Sequence, residues 1–239
     1  MNRIWTLSLF LIRDLFRSPA GIVPLAVGLG FGLIAFEYGM DQAQFITVAG
    51  IGTGAICLLT TLLLASRANR ASSYLLVARL HRRSELLGAL VLSGLGITAV
   101  LAVLITAGNS LSGRLSLDFP SALWVLPTWL PLWVLAASLA LPLSALVGRG
   151  GSHLAGYVIL SSLLIANDRK DLLAARGLDW LARAVSAILW PPSMLLAQAS
   201  AGNYDRLYAL AWAFTLTYAI LLSGLAISFF EDKDLLWSE

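Results

Sequence analysis

The segment ASRANRASSYLLVARLHRRSEL, residues 65–86, sets Arg67, Arg70, Arg79, Arg82 and Arg83 between two long apolar runs. Five of the chain's sixteen basic residues therefore stand in one short connector. Loops rich in arginine stay on the cytoplasmic side of a membrane, so this connector predicts which side of the chain is inside.

Composition sets the same class. Of 239 residues, 59% are apolar and 12% charged, and the mean hydropathy is +0.83, which excludes a soluble domain with one buried core. A net charge of +3, with arginines beside apolar segments rather than over one face, gives no footprint for nucleic acid. Cys57 is the single cysteine, so one chain can form neither a disulfide framework nor a zinc site. Inside an apolar run it reads as a small buried hydrophobe.

Six of the long uncharged stretches between one charge and the next are expected to hold the spans: 18–36, 42–66, 86–113, 119–148, 150–167 and 207–230. Each holds roughly the 20 residues that a helix needs to cross the hydrocarbon. Within the third and fourth, the spans are expected at 86–107 and 123–147, with a polar turn at 108–120 between them. The fifth is the shortest and carries His153 near its start. With the N-terminus inside, the inner side collects ten bases: Arg3, Arg13, Arg17, the five connector arginines, Arg149 and Lys233. Six remain outside, namely Arg114, Arg169, Lys170, Arg176, Arg183 and Arg206. The expectation is an all-α membrane protein, a single transmembrane domain over 1–239, with six transmembrane helices and both termini cytoplasmic.

Residues 1–18 predict an amphipathic helix. At about 100° per residue, Asn2, Arg3, Thr6, Arg13, Asp14 and Arg17 fall in one wedge, and Ile4, Trp5, Leu9, Leu11, Ile12, Leu15 and Phe16 fill the rest. Ser8 and Phe10 are the exceptions. Such a helix lies in the inner interface, or else extends the first span; Ser18 and Pro19 favour a break between the two. A second amphipathic pattern falls in the outer segment 168–206, where Arg176, Asp179, Arg183 and Ser186 oppose Leu178, Leu181, Ala184, Val185 and Ile188. Trp190, Pro191 and Pro192 are expected to end it, and the piece from 193 to 201 is too short to cross. Two short outer helices before the last span, or a surface helix and a loop, use these residues.

Catalytic groups are not in evidence. The two lysines, Lys170 and Lys233, do not follow glycine, so the chain has no phosphate-cradling P-loop, and His81 and His153 belong to no HExxH. No catalytic residue, metal ligand or cofactor is assigned to this chain. Glu37 and His153 stand only at span ends, which disfavours an ion-coupled carrier. Gly28, Gly30 and Gly32, and Gly50, Gly52 and Gly54, contain GxxxG spacing at Gly28/Gly32 and Gly50/Gly54 that suits close helix packing, within a subunit or across a dimer. Trp124, Trp129 and Trp133 read as an interfacial aromatic belt, with a substrate-facing wall as the alternative.

IRDLFRSP at 12–19 and RRSELLG at 82–88, within this order of elements, resemble the permease subunits of type-2 ABC exporters. That resemblance implies two six-span halves, each resting a coupling helix in a cleft of a separate ATP-binding subunit that holds ATP and Mg. The partners implied are that subunit, a second permease copy or paralogue, and membrane lipid. The coupling element would fall in the cytoplasmic connector 66–85, on Leu76, Arg79, Leu80, Arg82, Arg83 and Glu85. Arg79, Arg82 and Arg83 share a face by i, i+3 and i+4 spacing, although Leu75 intrudes and anionic headgroups could also hold them. Other readings are the haem-exporter permease of cytochrome c maturation and a non-transporting membrane scaffold or assembly factor. A lipid, an amphipathic drug or peptide, and a glycan conjugate all suit such spans as substrate.

Overall fold

A computed structural model describes residues 3–69, 83–113, 115, 119–147 and 177–231. Among them the regular elements are all helical: α1 (Arg3–Phe16), α2 (Ile22–Tyr38), α3 (Gln42–Ala68), α4 (Arg83–Leu111), α5 (Phe119–Leu143), α6 (Asp179–Ser200) and α7 (Arg206–Glu231). The last six are long and apolar enough to cross a membrane, the first of them when its leading 3-10 turn is included. The chain is a multi-pass membrane protein.

Local chemistry marks where the helices begin and end. Asp41 accepts a hydrogen bond from Gln44 N at 2.7 Å and caps α3, and Asp205 accepts from Leu207 N and Tyr208 N at 3.0 and 3.1 Å to start α7. Between α1 and α2, Ser18 precedes a 3-10 turn, Pro19–Gly21, with Pro19 at its first position. A Cβ on Gly21 would lie 2.8 Å from Leu15 O, so the chain can fold back here only on glycine. α1 is therefore a separate helix and not an extension of α2.

Side-chain contacts give each helix its direction. Gly28 meets Leu101 and Gly32 meets Ile105, so α2 and α4 run the same way. Thr61 sits against Gly94 while Cys57 lies by Thr98, so α3 runs opposite to α4. Trp129 bonds Ile46 and Trp133 bonds Thr53, which aligns α5 with α3. Thr128 pairs with Tyr208 and Ser138 with Ser223, which aligns α7 with α5. Trp190 meets Phe214, and Leu195 and Ala199 share a buried cluster with Tyr208 and Ala211, so α6 opposes α7. The six long helices alternate up and down.

Two buried clusters divide the bundle into halves. One joins α1 to Leu64, Ala68, Leu86, Val147 and Phe230, and marks the arginine-rich end. The other joins Phe45, Ile46, Leu115, Trp129, Leu195 and Tyr208 at the opposite end.

Five of the expected spans coincide with α2, α3, α4, α5 and α7. The fifth expected span, 150–167, lies outside the described residues. The segment expected outside differs: Asp179–Ser200 is one continuous helix of 22 residues with Pro191 and Pro192 inside it, not two short pieces. Each proline removes a backbone donor, but a break in apolar surroundings would strip more backbone groups of partners. Burial of Val185, Leu195, Leu196 and Ala199 keeps the helix continuous through that loss. α5 handles its prolines by a different means. Pro131 has no N–H for the carbonyl of Pro127, and Trp212 Nε1 on α7 donates to that oxygen at 3.0 Å.

Candidate functional site

At the arginine-rich end, α1 is fastened to the bundle along one face. Leu7, Ser8, Leu11 and Leu15 are buried, with Ile4 beside Gly88 and Ile12 beside Gly96 of α4. Ser8 Oγ lies 2.9 Å from Ile4 O and 3.2 Å from Ala89 O, so its one hydrogen is shared between the helix and its neighbour. Ser93 Oγ answers at 3.2 Å from Ser8 O and 2.7 Å from Ala89 O. Ser8, one of the two exceptions in the amphipathic pattern, is thus a contact residue, while Phe10, the other, is exposed.

A second fastening reaches α3. Arg67 Nε and Nη2 both donate to Asp14 Oδ2, at 2.9 and 2.7 Å. The Arg67 side chain is 15% exposed and that of Asp14 44%, so the pair stands at the edge of the protein rather than in its core. The sequence places Asp14 in the polar wedge and Arg67 only among the connector arginines that mark the inside. The partnership spans 53 positions, beyond any helical periodicity.

The other predicted residues fall as follows. Arg3 and Arg13 on α1, and Arg17 just past its end, are exposed among Trp5, Leu9, Phe10 and Phe16, which are also exposed. Arg83 is the first residue of α4 and Glu85 stands in its first turn, with Oε2 buried and unpartnered among the described residues. Leu76, Arg79, Leu80 and Arg82 lie outside the described residues. The structure brings the two edges of the connector, Asn69 and Arg83, to the end where α1 is tied.

The glycines divide. A Cβ on Gly28 would stand 3.1 Å from Leu101, and one on Gly32 3.3 Å from Ile105, so both pack within the subunit. Gly50 is tighter, with Leu196 and Trp129 each 2.9 Å from the added atom. Gly54 meets nothing within 4 Å among the described residues, and its expected packing role passes to Gly52, which faces the Phe31 ring.

Trp129 and Trp133 are 2% and 1% exposed, neither belt nor substrate wall. Their indole nitrogens donate to Ile46 O and Thr53 Oγ1, both at 2.9 Å, and lock α5 to α3. Trp124 alone of the three is exposed, stacked on Tyr204 with ring centroids 4.6 Å apart. Cys57 is fully buried and donates to Trp133 O at 3.4 Å, in keeping with a packing role. Between α2 and α4 a groove of about 210 Å³ opens outward, lined by Gly28, Gly32, Leu101, Ile105, Gly108 and Asn109. Among the described residues no group of three or more His, Cys, Asp or Glu side chains could hold a metal.

Asp14→Ala removes the bond by which Arg67 holds α1 and is expected to cost about 1–2 kcal/mol, the exposed side of the pair moderating the loss. Arg67→Met in that background should cost much less than in the parent. Thermal unfolding in detergent of the two single variants and the double variant measures the coupling, and additive losses would remove the tether from the account.

Compared with protein-family models, with curated proteins and with solved structures, the chain gives no match in any of the three.

Proposed function

We propose that this chain is the membrane-spanning subunit of an ATP-driven exporter of the type-2 ABC kind. It works as a dimer with a second permease copy or paralogue, in the plasma membrane or bacterial inner membrane, with both termini cytoplasmic. Energy comes from a separate ATP-binding subunit, which carries ATP and Mg, and enters at the connector through Arg79, Arg82 and Arg83.

One observation carries this reading. The connector joins the end of α3 to the start of α4, and α1 is bonded to both helices, through Asp14 to Arg67 and through Ser8 to Ser93. A push on the connector therefore acts on three helices together. In packed helices such a displacement is shared rather than absorbed locally. α1 supports the same reading from its other side. Arginines and large apolar side chains are exposed together there, which suits the boundary between headgroups and acyl chains.

Reconstitution tests the proposal. In vesicles holding the ATP-binding subunit that co-purifies with it, the chain is expected to raise ATP hydrolysis severalfold over that subunit alone. Hydrolysis indifferent to the chain would instead favour a scaffold.

A further inference from the structure

We infer that the start of α6, Leu178 to Arg183, opens on the same membrane face as α1 and the arginine connector. This replaces the expectation that the whole segment 168–206 lies outside. It rests on the membrane reading and is independent of the exporter reading.

Helix directions carry the argument. Val147, just past α5, belongs to the buried cluster at the arginine-rich end, with Leu86 and Phe230. α6 runs opposite to α7, and its last turn joins the cluster at the other end. With 22 residues at 1.5 Å each, α6 extends about 33 Å back from there, enough to traverse the hydrocarbon. Its first turn therefore returns to the level where α7 finishes.

Chain length closes the alternatives. Residues 148–176 number 29, and the described residues on either side of them, Val147 and Gly177, stand at one end of the bundle. A return by crossing takes two spans of roughly 20 residues each, which 29 cannot supply. Val147 and Gly177 thus face one compartment.

The charges agree, and they played no part in the directions. Moving Arg169, Lys170, Arg176 and Arg183 to the connector's side changes the division of bases from ten and six to fourteen and two. Arg114 and Arg206 alone stay opposite. Cytoplasmic excess of arginine and lysine is the usual determinant of orientation, and this topology satisfies it far better than the one read from the sequence.

Sided labelling tests the inference. Cys57→Ala removes the single cysteine of a buried site, and Thr6→Cys, Leu178→Cys, Trp180→Cys or Asn203→Cys then supplies one exposed thiol at a time. A membrane-impermeant maleimide is applied to intact cells and to inside-out vesicles. Thr6→Cys, Leu178→Cys and Trp180→Cys are expected to label from one side, with labelling lost from the other, and Asn203→Cys is expected to show the reverse. Labelling of the two α6 positions together with Asn203→Cys, or from neither side, would overturn the inference. The comparison is relative, so it holds whichever face is cytoplasmic and whatever subunit the chain binds.

Discussion

Gly50→Leu is expected to destabilise the fold by about 3 kcal/mol, while Gly54→Leu, four residues along the same helix, costs about 0.5 kcal/mol or nothing. At Gly50 even a methyl group would come within 2.9 Å of the Trp129 ring and of Leu196, so α5 and α6 both stand in its way. Neither can yield cheaply. The Trp129 indole is held by its bond to Ile46 O at 2.9 Å, and Leu196 sits in the cluster that seats the end of α6. A Cβ on Gly54 would meet no described atom of another helix within 4 Å, and leucine is the better helix former by several tenths of a kcal/mol. Thermal unfolding in one detergent separates the two, since a domain of this size loses about 2–4 °C per kcal/mol. Equal melting temperatures would mean that the α3, α5 and α6 contact is not close-packed at Gly50.

That pair of glycines also shows what sequence alone could and could not tell. GxxxG spacing marks two small residues on one helix face, but which of them meets a neighbour depends on the azimuth of the helix in the bundle. The spacing does not record it. Tryptophans in α5 carry the same ambiguity, because an indole is equally at home in a headgroup layer or against a carbonyl in the core. Only the partners Ile46 and Thr53, some eighty positions away, decide it.

Span boundaries were legible for a physical reason. In lipid the backbone must bond to itself, so an uncharged run long enough to cross becomes a helix almost from end to end. The run at 42–66 is α3 with two residues added, and the run at 207–230 is α7 with one added at each end. α6 escaped because Asp179, Arg183 and the two prolines carry the marks of a surface helix and its end. Those marks come from helices in water, where a broken backbone finds new partners at once.

Replacing Arg79, Arg82 and Arg83 together by alanine is expected to weaken association with the ATP-binding subunit more than tenfold. Each arginine at such an interface contributes about 1 kcal/mol or more, and 1.4 kcal/mol is already a factor of ten. Insertion should change little, because Arg67, Arg70 and the bases of α1 remain to hold the chain's orientation. If the three arginines serve only as anchors to anionic headgroups, the outcome reverses: orientation suffers and association does not. The Asp14 to Arg67 tether is left intact by the substitution, so a loss of association would not reflect release of α1.

The most direct test is therefore purification of the parent chain and of this triple variant from membranes in mild detergent, with the bound ATP-binding subunit quantified for each. The parent is expected to retain such a subunit and the variant to lose most of it at the same yield of folded chain. A parent that purifies without any ATP-binding subunit, or a variant that keeps an undiminished amount, would contradict the proposed function at its centre.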